Sequence, residues 1–246
     1  LDAHVHLQPH AIRALAALLR GRGFALVAPY PRQLAGTWLE RLVQPLVTWS
    51  WAATMPLRWA ETSSRPSLSA ANGQLLMLDA EAYGGIGGHA AVRADVLEDI
   101  GLMRAVKSAG LTTATVDGSG LAECRMYEGT DQVVDGYAKS LWSAFGGPVG
   151  SVGANAALTL AYLLPPVAAL TSRDRGTRLI GVVGAAAGVA SRALVARRTA
   201  ERVLPDVLAH PASIGAFVAL NAISWRRHRR GTNSWKGRAV TVGSSA

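Results

Sequence analysis

Three long apolar stretches in the second half of the chain, at about 151–170, 179–196 and 207–225, constrain its fold more than any other feature. Each approaches the ~20 residues a helix needs to cross the hydrocarbon core of a bilayer. Leaving such surfaces in water is unfavourable, so this half is expected in a membrane. Pro165–Pro166 predicts a kink in the first stretch, Arg192 sits inside the second, and the third is only moderately apolar. Cations flank all three: Arg173, Arg175 and Arg178, then Arg197, Arg198 and Arg202, then Arg226, Arg227, Arg229 and Arg230. Two topologies stay open. Three spans put the last cations on the side opposite a cytoplasmic domain, against the positive-inside trend; two spans with one interfacial helix keep them on the same side.

Residues 1–147 read differently, alternating charged and apolar segments. The expected organisation is therefore a soluble domain over 1–147, a membrane-associated helical region over 148–226 with two or three spans, and a basic tail over 227–246. Half of the 246 residues are hydrophobic and the mean hydropathy is +0.20, high for a soluble protein. The net charge of +9 is nearly all arginine and lies beside the apolar segments, without a recognition helix or an RNA-binding aromatic signature. That favours a membrane surface over nucleic acid as the partner. Cys124 is the only cysteine, which excludes an intrachain disulfide and a thiolate zinc site and fits a domain facing the cytoplasm.

Within the front half, residues 1–2 read as the end of a buried strand. A helix is predicted over 10–20, stopped by Gly21 and Gly23, and a strand over 24–28, ended by Pro29 and Pro31. Residues 38–59 are helical in pattern with breaks at Pro45 and Pro56, fitting either a core helix pair or an interfacial segment. A loop over 63–72 leads to a strand over 73–79, and a glycine-rich stretch over 84–88 leads to a helix over 96–109. A strand over 111–116, a turn over 117–120 and an amphipathic helix over 131–145 complete an α/β order.

Two readings compete for LDAHVHL at 1–7. Asp2-x-His4-x-His6 matches the strand-end metal motif of amidohydrolases, in which alternate histidines converge on one face. That barrel needs further histidines at other strand ends, and His210 and His228 lie beside or beyond the apolar stretches. Alternatively Asp2 caps a turn. Asp95-x-x-Glu98 fits a capping box, and Asp99 then falls in a first turn where the helix dipole welcomes an acid. Arg125 and Tyr127 could simply be strand-edge residues, and Trp142 and Phe145 interface anchors.

The block GGIGGHAAVRADVLEDIGLMRAVK at 84–107 resembles the acceptor side of glycosyltransferase family 2. The segments PYPRQ (29–33), ERLVQP (40–45), ANGQ (71–74), CRMY (124–127) and WKGR (235–238) are similar to its lipid-directed branch, associated with carotenoid and hopanoid pathways. The resemblance implies a GT-A-type, Rossmann-like mixed α/β sheet, present as its C-terminal part only and followed by a helical transmembrane region. It implies an inverting transfer of a hexose from a nucleotide-sugar to a hydroxyl of a lipid-like acceptor of carotenoid, hopanoid or polyprenol type. Asp99 would be the general base, since such a transfer needs one carboxylate within reach of the acceptor hydroxyl. Gly87, Gly88, His89 and Arg93 would form the acceptor loop, and Arg125 and Tyr127 would approach the donor phosphates or the acceptor.

Asp2 and His4 would stand at the family's metal position, with histidine replacing the second acid; imidazole suits manganese better than magnesium. The segment that builds most of the nucleotide site would lie upstream, so residues 1–246 alone are expected to lack nucleotide-sugar affinity. The rival reading is a catalytically silent, membrane-anchored scaffold of the same shape.

Overall fold

The computed structural model describes residues 1–235 and 238–239; Lys236 and Gly237 of the WKGR block and the last residues of the expected basic tail lie outside the described residues. The chain runs β1 (Val5–Leu7), α1 (Ala11–Arg22), β2 (Leu26–Tyr30), β3 (Arg32–Gln33), α2 (Trp38–Val43), α3 (Pro45–Thr54) and α4 (Leu57–Thr62). Next come β4 (Met77–Leu78), α5 (Ala80–Gly85), α6 (Glu98–Ser108), β5 (Thr113–Asp117), β6 (Ala122–Cys124) and α7 (Thr130–Ala138). The apolar half holds α8 (Pro148–Leu158), α9 (Leu164–Thr171), α10 (Arg175–Arg198) and α11 (His210–Arg229), before a ribbon of β7 (Ser234–Trp235) and β8 (Arg238–Ala239).

The fold is mixed α/β with two small mixed sheets, ordered β4-β2-β5 and β1-β6-β3. β2 runs parallel to β5 and antiparallel to β4, while β6 runs antiparallel to β1 and parallel to β3. Alternation along β2 explains why helices cover both faces. Val27 packs with Leu15 and Leu19 of α1, whereas Leu26 and Ala28 pack with Leu102, Met103 and Val106 of α6. Gly23, in the left-handed region at φ 65°, ends α1 by donating its N–H to the Arg20 carbonyl and turns the chain into β2.

Several boundaries differ from expectation for identifiable reasons. Residues 1–2 do not end a strand: Asp2 accepts the His4 N–H at 2.9 Å in a turn, and the strand begins only at Val5. Pro29 does not end β2, which runs on to Tyr30. From Ala28 onward β2 has only β5 as a partner, and a proline is tolerated where one edge is open. The strand expected over 73–79 shrinks to Met77–Leu78, because Asn72 and Gln74 form a side-chain turn instead. The helix expected over 131–145 stops at Ala138. Beyond it the Trp142 N–H donates to Ser224 Oγ, and the Trp142 ring stacks on His228 at 3.7 Å, so this tryptophan packs on α11 rather than serving as a free interface anchor.

The chain carries three helices long and apolar enough to cross a membrane: Pro148–Thr171, Arg175–Arg198 and Asp206–Arg229. The first contains a π-helical turn at Thr159–Leu163, immediately before Leu164 and the Pro165–Pro166 pair, where the prolines remove backbone donors. It forms a close hairpin with α10: a Cβ on Gly181 would fall 2.5 Å from the Ala169 nitrogen and 2.7 Å from the Pro165 carbonyl oxygen. Outward-facing side chains such as Val149, Leu170 and Ile180 are exposed, as lipid-facing residues would be.

The third helix differs. At its start Asp206 binds Arg41 of α2; near its end Arg227 donates to Asp135 of α7 at 2.7 Å, and Ser224 Oγ donates to the Ala138 carbonyl at 2.6 Å. A run of 24 residues spans roughly 36 Å at 1.5 Å per residue. Being tied to the α/β part at both ends, it lies along that part.

Candidate functional site

Residues 2, 33, 72–74 and 99 meet around one turn. Gln33, the last residue of β3, donates from Nε2 to Gln74 Oε1 at 2.8 Å, and Asn72 Nδ2 donates to the same oxygen at 3.0 Å. The backbone of this ANGQ turn is gripped from two directions. Asp99 Oδ2 accepts the Gly73 N–H at 2.7 Å, while the Gln74 carbonyl accepts the Asp2 N–H at 2.9 Å. Asp99 and Asp2 therefore flank one dipeptide.

Asp99 opens α6, and its Oδ1 accepts the Ile100 N–H at 2.8 Å. Burial holds its carboxyl above the usual aspartate range, partly opposed by the amides of Ile100 and Gly73, with the Glu98 charge adding to the rise. The expected capping box is absent: Leu97 occupies the N-cap position without a side-chain hydrogen bond. The box forms elsewhere. Thr37 caps α2 by accepting the Glu40 N–H at 3.4 Å, and Glu40 Oε1 accepts from Thr37 Oγ1 at 2.8 Å.

Glu40 is fully buried and also accepts the N–H groups of Gly36 at 2.6 Å and Gly129 at 2.8 Å, which hold its carboxyl below the usual range despite burial. It thus fixes both loops around Arg125, whose guanidinium lies against Gly36.

Arg125 donates its backbone N–H to the His4 carbonyl at 3.3 Å, which brings the Asp2–His4 turn and CRMY together. Tyr127 is held above its usual range by burial first, then by Cys124 and Asp2, and its ring is 5.9 Å from that of Tyr137. Beside Asp99, burial and then the Asp99 charge raise the Tyr30 phenol, with the Trp51 indole next to it. Two residues earlier on α3, Trp49 Nε1 donates to Ser191 Oγ of α10 at 3.1 Å, which ties α3 to the apolar hairpin.

The residues expected to form an acceptor loop make a separate cap. Gly87 and Gly88 have φ of 78° and 57°, and a Cβ on Gly88 would meet the Tyr83 ring at 2.7 Å, so both glycines serve this turn. His89 pairs with the Tyr83 hydroxyl at 2.7 Å, Arg93 is exposed, and Val92 packs under α6. Lys107 is buried and donates from Nζ to the carbonyls of Ala60 and Ser63, each at 2.6 Å, which anchors the end of α4.

Asp2 and His4 do not make a metal centre by themselves. Asp2 Oδ1 is occupied by its own turn, and among the described residues no group of three or more His, Cys, Asp or Glu side chains gathers to hold an ion. His6 points outward on β1, so the amidohydrolase pattern has no third partner there. Sequence reasoning missed Glu40 although its signal, Thr37-x-x-Glu40, was present; it also missed the Asp206–Arg41 pair, which joins residues far apart in the chain. Comparison of the chain with family models, with curated proteins and with solved structures finds no match in any of the three.

Proposed function

We propose that this chain is the acceptor-side part of an inverting GT-A-type glycosyltransferase, moving a hexose from a nucleotide-sugar to a hydroxyl of a lipid-like acceptor at a membrane. The supporting observation is the position of Asp99. It is a half-buried carboxyl with a raised pKa, held by the Gly73 amide of the turn that also binds Asp2 and by the Ile100 amide of its own helix. A general base has to be fixed within reach of the hydroxyl it deprotonates, and a pKa moved toward neutrality suits that role.

In the proposed reaction the acceptor arrives along the α9–α10 side, and Asp99 takes the proton of its hydroxyl as the oxygen attacks the sugar carbon opposite the leaving diphosphate. Arg125 would face the donor phosphates or the acceptor. The scaffold reading draws on the same hydrogen bonds, which serve architecture equally well. Incubating the full-length protein in membranes with a panel of labelled nucleotide-hexoses separates the two. Label moving into the lipid fraction supports the transferase; neither transfer nor hydrolysis with any donor supports the scaffold.

A further inference from the structure

A cleft of about 350 Å³ opens where the α/β part meets the connection between α10 and α11. Four arginines from four parts of the chain line it: Arg32 of β3, Arg41 of α2, Arg125 after β6, and Arg202 of the connection. The lining carboxylates are Glu201 and Asp206. Asp206 is buried and organises the basic wall, accepting from Arg41 Nε at 2.9 Å and standing 3.7 Å from Arg202 Nε.

The pairings leave donors to spare. Arg32 pairs with Glu123 at 3.1 Å and Arg202 Nε donates to the Leu204 carbonyl at 3.2 Å, but Arg125 meets Glu128 only at 3.9 Å and Arg202 meets Asp206 only at 3.7 Å, and the side chains of Arg125 and Arg202 are 46% and 61% exposed. A guanidinium offers five N–H groups in a planar fork that matches phosphate oxygens.

The surroundings add an apolar half. Leu194 on α10 and Leu204 and Leu208 around the connection are exposed at 62–64%. Leu194 sits in the last turns of α10, Leu204 in the connection and Leu208 just after Asp206, so the three flank the junction between two membrane-length helices. Exposed leucines beside exposed arginines at a helix end form the pattern of a lipid-water boundary, with the acyl side and the headgroup side of one ligand adjacent.

We propose that this cleft binds a phosphate group carried by a membrane lipid, the arginines holding the phosphate and Leu194, Leu204 and Leu208 meeting its acyl chains. The assignment concerns binding alone and stands whether or not the chain transfers sugar. The same phosphate chemistry could be supplied by a soluble diphosphate, so the test separates the two sources.

The full-length protein in phosphatidylcholine nanodiscs is titrated with short-chain phosphatidic acid, short-chain phosphatidylcholine and inorganic pyrophosphate, each in the wild type and in Arg125→Gln/Arg202→Gln. An Arg178→Gln variant, at the opposite end of the hairpin, reports general electrostatic attraction, and melting temperature confirms that each variant is folded. Phosphatidic acid should bind best, and the double variant should weaken it by about tenfold to thirtyfold, at the roughly fivefold per cation typical of charges near a lipid surface. Arg178→Gln should leave it unchanged. Equal binding of phosphatidylcholine, an unaltered affinity in the folded double variant, or an equal loss from Arg178→Gln would overturn the site. Pyrophosphate binding as tightly as phosphatidic acid and displacing it would overturn the lipid assignment.

Discussion

Glu201 gives the fold a pH dependence whose sign and size can be worked out. It lies just past α10, facing Arg192 of α10, Thr48 of α3 and, at longer range, Asp117 of β5. Burial is the dominant influence and raises its carboxyl from near 4.5 to about 7, with Arg192 and Thr48 acting in the opposite sense. The folded state therefore holds a proton that the unfolded chain releases. The resulting stabilisation is complete below about pH 4.5 and is lost as pH rises through about 7.

A displacement of this size corresponds to roughly 3 kcal/mol, and partial water access at this half-buried position reduces the expectation to about 2 kcal/mol. For a chain of this length that is on the order of 4–8 °C in melting temperature. Glu201→Gln keeps the shape and removes the ionisation, so it should melt higher than wild type by that amount at pH 8 and at the same temperature near pH 5. Melting curves of both proteins in one neutral detergent across this range measure the difference. A constant offset between them at every pH, or a variant less stable at pH 8, would refute the burial argument.

Gly181→Leu should split the hairpin of α9 and α10, because even a Cβ would sit 2.5 Å from the Ala169 nitrogen; overpacking of this kind costs about 1–3 kcal/mol, and a melting temperature within 1 °C of wild type would contradict the close approach. Because α11 is tied to α2 and α7 at its two ends, cysteine-labelling tags at residues 1 and 232 should be modified from the same side of sealed vesicles; labelling from opposite sides would restore the three-span topology. Manganese without nucleotide should bind the protein no more tightly in wild type than in Asp2→Asn, as measured by calorimetry, since Asp2 Oδ1 serves its own turn; a Kd raised tenfold by the substitution would show a protein-built metal site.

Periodicity made the helices and their breaks legible. Pro45 and Pro56 divide 38–62 into three helices as expected, and the apolar stretches correspond to long helices. Local chemistry was harder to rank: Asp95-x-x-Glu98 and Thr37-x-x-Glu40 are equivalent patterns on paper, yet only the second forms a box, because Glu40 also collects the Gly36 and Gly129 amides from outside its helix.

The site was legible only as a set of segments. That ANGQ is the hub joining Asp99, Gln33 and Asp2 depends on contacts between residues 26 to 72 positions apart, which no periodicity encodes. The packing of the third apolar stretch was hidden for a similar reason. Ser224 inside it and Arg227 just beyond it bind α7 and its end, and only the packed structure reveals those partners.

The central claim is that Asp99 deprotonates an acceptor hydroxyl. Single-turnover transfer of labelled hexose to extractable lipid, compared between wild type, Asp99→Asn and Glu98→Gln in the full-length protein, tests it most directly. Asp99→Asn should slow the chemical step by ~10²–10⁴-fold, as the loss of a general base does. It also exchanges one amide–carboxylate bond for a clash between donors, so a modest drop in melting temperature should accompany it. Glu98→Gln should transfer at close to the wild-type rate, because Glu98 is exposed and takes part in no capping box. Equal losses from both substitutions, or full transfer by folded Asp99→Asn, would contradict the assignment.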